Sequence, residues 1–237
     1  MNSDAVIVAL HEVADPERAR HSARYFKTGP GEYGEGDIFI GVTVPQVRAV
    51  ARQYRDLPPS DVMELLESRE HEVRLCGVIL LVNRYRRSRS PVEKSELFSL
   101  YLSGVHTGRV NNWDLIDLGA PTFGGFLLGN PDRVALLNDL ARSPSLWERR
   151  LSIMLTFAFI RVNEFAEALS MAEFHLADKH DLIHKAVGWM LREIGKRDVA
   201  VLRAFLEAHT TQMPRTALRY AIEKLDEAER QQWLRRR

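Results

Sequence analysis

A tryptophan and an aspartate, Trp113 and Asp117, lie four residues apart in a segment with helical character. Residues at this spacing share one face of a helix. Asn112 precedes them and is a good N-cap, because its side-chain oxygen can accept hydrogen bonds from the free amides of the first turn. Asp114 suits the positive end of the helix dipole. The segment therefore predicts an aromatic stacking wall beside an anion at the start of a helix.

A second tryptophan, Trp189, has two cations on its helix face: Lys185 lies one turn before it and Arg192 three residues after it. Gly188 precedes it, although a glycine inside a helix costs about 1 kcal/mol relative to alanine. That glycine indicates that a neighbouring helix approaches closely. Tryptophan is more often a core residue than a site residue. An indole beside two cations nevertheless favours a site.

Helices must position these residues, because helical periodicity covers nearly all of the chain after residue 45. Proline, glycine, serine and asparagine mark the breaks. Only residues 37–42 could form a short extended piece. The predicted helices span 3–14, 16–27, 45–55, 59–68, 71–87, 91–103, 112–127, 131–142, 145–160, 163–176, 180–195, 198–208, 214–224 and 226–234.

Several of these helices repeat at intervals of roughly 35 residues, which is typical of an α-solenoid of the HEAT or armadillo kind. Such helix pairs stack because none can bury its apolar face alone. The residues that open the repeated helices, here called the helix-start row, are Arg74, Asn112, Arg150, Lys185 and Arg215. A cationic row along a concave face favours a polyanion as ligand. The alternative is that these side chains bond to the preceding repeat, as in scaffold proteins.

Residues 28–45 form a glycine-rich loop that contains the pattern G-x-G-x-x-G from Gly29 to Gly34. A dinucleotide site is not predicted, because no strand precedes the pattern and Pro30 lacks a backbone donor. Acidic residues in the loop would also repel a pyrophosphate. We expect a mobile loop, placed between Tyr25 and the repeats, that can fold over a ligand.

The remaining candidate groups favour structural roles. His175, His180 and His184 lack an HExxH motif and a cysteine partner, so cap or surface roles are favoured over a metal site. Cys76 lies in an apolar run and is expected to be buried and inert. As the only cysteine it excludes an internal disulfide and fits a reducing cytoplasm, where we expect the protein to act.

Bulk composition is that of a globular protein, with 27% charged and 45% hydrophobic residues in 237. No stretch approaches the roughly 20 apolar residues of a membrane span, and no basic region indicates a secretory signal at the start. The formal net charge is only +1, yet most of the 33 basic residues are arginine. Arginine suits phosphate contacts, but a GC-rich coding sequence explains the bias equally well.

Four motifs, with a fifth near the end of the chain, carry a resemblance to a known family. They span residues 24–27, 112–117, 147–150, 185–193 and 219–224. Together they resemble the AlkD-like family of DNA alkylation repair glycosylases over nearly the whole chain. The resemblance implies an all-α, right-handed α-solenoid of HEAT-like helical pairs with a concave DNA-binding groove. It implies one domain over 1–237, with N-terminal helices and the glycine-rich loop in 1–44 and helical repeats in 45–237.

The resemblance also implies an activity. Such enzymes excise cationic N3- and N7-alkylated purines, and some remove bulky minor-groove adducts, from double-stranded DNA. They act as monomers without a metal or other cofactor and without flipping the base, and they leave an abasic site. Carried over by motif, the catalytic aspartate falls on Asp117 and the two indole walls on Trp113 and Trp189. The expected DNA-binding residues are Tyr25, Arg150, Lys185 and Arg192.

Two departures from the family pattern bear on lesion preference and DNA affinity. Residues 181–184 stand where some members carry a pair of phenylalanines, and Ala158 stands where some carry a lysine. The alternative function is a non-catalytic HEAT-like scaffold that binds DNA or a protein partner. A third is a family member that recognises DNA structure without cleaving the glycosidic bond.

Overall fold

The computed structural model describes residues 2–236, which form helices joined by turns and loops. Their α-carbons separate into two compact units, one ending at Gly119 and the other beginning at Ala120. Extended structure within residues 2–236 amounts to one isolated bridge between Ile38 and Glu70. The all-α prediction is therefore confirmed. Over the same residues, no helix is long and apolar enough to cross a membrane.

The first unit is built around one buried helix, α5. Its helices are α1 (Ser3–His11), α2 (Pro16–Tyr25), α3 (Val44–Gln53), α4 (Pro59–Leu66), α5 (His71–Arg87), α6 (Pro91–His106) and the start of α7 (Trp113–Phe123). Helices α3, α4 and α6 pack against α5, whose residues are buried without a break from His71 to Val82. A helix that is apolar on all sides belongs inside a unit rather than on its surface. Its burial fixes the positions of three polar residues at its start, His71, Glu72 and Arg74.

The second unit consists of successive helix pairs. Its helices are α8 (Arg133–Ala141), α9 (Leu146–Leu155), α10 (Phe157–Arg161), α11 (Ala166–Phe174), α12 (Asp181–Gly195), α13 (Val199–His209), α14 (Arg215–Ala221) and α15 (Glu227–Arg235), with 3-10 turns at Gly124–Leu127 and His175–Ala177. Helix α12 packs against α9 on one side and α14 on the other. A side chain at Gly188 would place its Cβ 2.4 Å from the Ala217 carbonyl oxygen. The close approach expected at Gly188 is therefore confirmed.

Two predicted helices are not continuous α-helices in the structure. The helix expected over 145–160 is divided at Thr156, whose hydroxyl donates to the Ile153 carbonyl at 2.6 Å. Such local bonds compete with regular helix geometry. The helix expected over 112–127 ends as α7 at Phe123, and a 3-10 turn follows. Pro121 near its end cannot donate a helical hydrogen bond.

The glycine-rich loop is anchored, which differs from the mobile loop expected. The buried carboxylate of Glu72 accepts hydrogen bonds from the amides of Ile40, Gly41 and Val42 at 2.8 to 3.2 Å. The extended piece predicted over residues 37–42 is reduced to two backbone hydrogen bonds of Ile38 with the segment before α5. The Ile38 N–H donates to the Arg69 carbonyl, and the Ile38 carbonyl accepts from the His71 N–H. The second half of the loop is therefore fixed to the start of α5.

Candidate functional site

The start of α7 is capped as its sequence predicts. The Asn112 side-chain oxygen accepts from the Trp113 amide at 2.9 Å, and Asn112 is fully buried. Its side-chain amide donates to Asp37 of the glycine-rich loop at 3.3 Å. Because one end of Asn112 holds the helix and the other holds the loop, the cap ties α7 to a distant segment.

Trp113 and Asp117 follow on α7 at a spacing that places both side chains on one helix face, and both are partly exposed. The Phe26 ring stacks on the indole of Trp113 with a centroid distance of 5.2 Å and an interplanar angle of 10°. Tyr25 meets the same indole edge-on at 6.1 Å and is itself 68% exposed. The structure thus brings together the predicted Tyr25 and Trp113, and it adds Phe26, which the sequence did not single out.

Tyr25, Phe26 and Trp113 form an aromatic wall, and the buried imidazole of His71 packs against its Phe26 ring. The sequence did not predict this imidazole as part of the site. His71 bonds through Nδ1 to Asp37 and through Nε2 to Asp114, both at 2.8 Å. Burial opposes a charge on this ring, but the charges of the two aspartates and the bonds to them prevail and raise the pKa of His71 to about 9. The ring is therefore an imidazolium at neutral pH, and both nitrogens donate.

Asp37 is the centre of the same network. Arg74 donates to its Oδ1 at 2.5 Å and to the Ser68 carbonyl at 3.0 Å. Burial works to raise the pKa of Asp37, but the bond to His71 and the charges of His71 and Arg74 outweigh it and lower that pKa. The positive charges of His71 and Arg74 balance the negative charges of Asp37 and Asp114, as a buried ionic cluster requires.

In the second unit, Trp189 lies on α12 and is partly exposed. Its indole N–H donates to Glu193 at 3.1 Å, and the Phe157 ring lies 6.4 Å away. The two predicted cations of this face are paired within the unit. Lys185 lies 2.9 Å from Asp181, and Arg192 binds Glu223. Both cations are therefore already engaged by carboxylates of the same unit.

Arg150, the remaining predicted DNA-binding residue, is 4% exposed. Its guanidinium donates to the Leu182 carbonyl and so connects α9 with the start of α12. The helix-start row is wrong as an exposed row for three of its five members, because Arg74 and Asn112 are also buried. Lys185 is partly exposed and Arg215 is exposed. The physical reason is that the buried guanidinium groups are held by protein acceptors: Arg150 by a backbone carbonyl of α12, and Arg74 by the Ser68 carbonyl and the Asp37 carboxylate. Arg215 likewise donates to the Leu234 carbonyl.

The three histidines near α12 make local hydrogen bonds. His175 is buried with Nε2 2.8 Å from the Ser152 hydroxyl, and burial lowers its pKa to about 4. His180 accepts from the Leu182 amide, and His184 donates to the Asp178 carbonyl. Cys76 is buried, as expected, and burial raises the pKa of its thiol to about 12. A thiol in that state is not a nucleophile at neutral pH.

The fold and the site define an all-helical protein with two partly exposed indoles, one of them on the same helix face as a carboxylate. An indole face attracts cations, and a fixed carboxylate stabilises positive charge that develops beside it. The family described as "DNA alkylation repair enzyme" matches residues 6–225. The chain therefore belongs to the DNA alkylation repair enzyme family.

A solved structure supports the same fold. A protein described as a predicted DNA alkylation repair enzyme from Enterococcus faecalis is similar with a TM-score of 0.69 at 16% sequence identity. The similarity covers 90% of this chain and 97% of that chain. At this identity the likeness concerns the fold. Among curated proteins, none matches the sequence.

Proposed function

We propose that the protein is a monofunctional DNA glycosylase that removes cationic N3- or N7-alkylated purines from double-stranded DNA and leaves an abasic site. The observation that carries this proposal is the shared helix face of Trp113 and Asp117 in a chain that belongs to an alkylation repair family. A scaffold needs no carboxylate beside an indole. Repair of a cationic lesion would use both groups: the indole face attracts the positive charge of the base, and the carboxylate stabilises positive charge that develops on the sugar.

The proposed reaction hydrolyses the bond between the sugar C1′ and the purine nitrogen. An N-alkylated purine already carries a positive charge, so it leaves with the bonding electron pair as a neutral base and needs no general acid. Positive charge then develops on the sugar. Asp117 stabilises that charge and orients a water molecule, whose oxygen forms the new bond to C1′ while its proton passes to the carboxylate or to solvent.

The indoles of Trp113 and Trp189 are proposed to contact the sugar and the cationic base through their ring faces. Tyr25, Lys185 and Arg192 are proposed to contact the DNA, and Tyr25 is the most exposed of them. Arg150 is not proposed as a direct contact, because it is buried and its guanidinium is held by the Leu182 carbonyl. Because the two indoles are proposed to contact the sugar directly, the base need not be flipped out of the duplex. Lys185 offers a simple check, because loss of one phosphate contact weakens binding similarly for all sequences and lowers the salt slope by about 1.

The decisive experiment measures base release from a duplex that contains N7-methylguanine, with enzyme in excess. Wild type is compared with Asp117→Asn and with Asp139→Asn, a matched control at an exposed helical aspartate. We expect Asp117→Asn to lower the rate by about 10²- to 10³-fold, the usual effect of removing one electrostatic contact in a site. Duplex binding should stay near that of wild type.

Two outcomes would contradict this proposal. Equal loss of binding and of base release in Asp117→Asn would remove the catalytic role of Asp117. Absence of base release by wild type from methylated and bulky-adduct duplexes, with salt-sensitive binding retained, would favour a DNA-binding scaffold.

A further inference from the structure

A buried chain of contacts runs from the glycine-rich loop to Trp113. His71 lies between Asp37 of the loop and Asp114 in the first turn of α7, and 43 residues of sequence separate it from Asp114. The proposed reaction gives no task to this network or to the loop. The network lies against the aromatic residues of the site, because the His71 ring is 5.0 Å from the Phe26 ring, which stacks on Trp113.

Two routes connect the imidazole with the indole. Along the polar route, His71 bonds to Asp114, the residue that follows Trp113 in the chain. Along the aromatic route, the His71 ring stacks on Phe39 at 4.4 Å, Phe39 stacks on Phe26 at 4.8 Å, and Phe26 stacks on Trp113 at 5.2 Å. A shift of the imidazole would therefore reach the indole through both its backbone and its ring face.

The Asp114 carboxylate depends on this one bond. Its Oδ2 bonds to His71, while among the described residues its Oδ1 is buried without a hydrogen-bond partner. A partly buried carboxylate left without a partner costs free energy, so loss of the bond to His71 favours conformations in which Asp114 reaches water. Since Asp114 lies in the first turn of α7, that movement would rotate the turn that carries Trp113.

We propose that His71 is a positioning residue: its two ring nitrogens clamp Asp37 to Asp114 and thereby hold Trp113, and the α7 face that includes Asp117, in one orientation. The charged groups that face it are Asp114 from α7, Asp37 from the loop and, through Asp37, Arg74 from α5. The kinetic part of this inference rests on the proposed glycosylase function. The structural part does not.

The kinetic test uses full-length wild type, His71→Gln, Asp114→Asn and the double variant. Base release is measured with enzyme in excess over N7-methylguanine duplex, and affinity is measured separately. We expect each single variant to lower the rate by about 10- to 100-fold, because small misplacements in a site cost rates of this order. Affinity should change by less than about threefold. The double variant should be no slower than the slower single variant, because both remove the same bond.

The structural test is amide hydrogen exchange in peptides that cover residues 37–43 and the first turn of α7. Loss of a charge-assisted bond should accelerate exchange in both peptides by about 10-fold or more, while α12 is unaffected. The matched control is His11→Gln, which removes an exposed histidine bonded to Glu70, the neighbour of His71. This control should resemble wild type in exchange, rate and affinity.

The outcomes separate the two proposals. If wild type releases no base, the glycosylase proposal fails while the exchange result still decides the clamp. Unchanged exchange in both peptides overturns the clamp. The clamp is also overturned if the losses of base-release rate in the two single variants add up in the double variant. It is overturned as well if duplex affinity falls as much as the rate of base release. If His71→Gln fails to fold, Asp114→Asn alone decides, since its side chain is 17% exposed and tolerates the change more easily.

Discussion

Alkaline pH should weaken the first unit through His71. Burial alone would lower the pKa of His71. The negative charges of Asp114 and Asp37, and the hydrogen bonds to them, outweigh burial and raise this pKa from 6.5 to about 9. A group whose pKa is higher in the folded state contributes its full stability below the unfolded pKa, and it loses that contribution as pH rises through the folded pKa. A shift of this size corresponds to about 3 kcal/mol. That stabilisation should be present at about pH 6 and lost above about pH 9.

The assay is guanidinium unfolding of wild type and His71→Gln at about pH 6 and about pH 10. The free energy of unfolding of wild type should exceed that of the variant at the lower pH, and the gap should shrink by about 3 kcal/mol at the higher pH. Other groups that titrate in this range, including Cys76, are common to both proteins and cancel in the difference. An identical gap at the two pH values would refute a charged His71.

Three further changes test other parts of the structure. His175 should act in the opposite direction: burial lowers its pKa from 6.5 to about 4, so its protonation in the unfolded state should cost about 3 kcal/mol as pH falls from about 6.5 to about 4. Unfolding of wild type and His175→Gln at both pH values measures this. Gly188→Ala should lower stability by about 1–3 kcal/mol in thermal unfolding despite the higher helix propensity of alanine, because its Cβ would lie 2.4 Å from the Ala217 carbonyl oxygen; an unchanged melting temperature would contradict that packing. Glu72→Gln should cost about 1–3 kcal/mol and speed amide exchange in the loop, since the carboxylate accepts from three loop amides; unaltered exchange would contradict the anchored loop.

Local rules predicted the parts of the fold that depend on neighbours in sequence. The helix expected over 71–87 is observed with those bounds, because an apolar run ends at a cluster of arginines. Asn112 caps α7 and Gly188 marks a close helix contact, both from residue type alone. The break at Thr156 was missed because it depends on how one hydroxyl is bonded, which periodicity does not reveal.

The candidate site was only partly predictable. The spacing of Trp113 and Asp117 is local, so a helix face could be assigned to them. The partners of His71 lie 34 and 43 residues away along the chain, and no local pattern joins them. An available signal was the presence of Asp37 and Phe39 in a loop otherwise rich in glycine. The burial of three members of the helix-start row was missed for a related reason, because periodicity gives the phase of a side chain but not whether it faces solvent or a protein acceptor.

The proposed hydrolysis of the glycosidic bond of a cationic purine depends on Asp117, which shares a helix face with Trp113. Its most direct test is release of N7-methylguanine from duplex DNA by wild type and Asp117→Asn. We expect free base and an abasic site with wild type, a rate lower by about 10²-fold or more with the variant, and similar duplex binding by both. Equal rates of base release by the two proteins would contradict it.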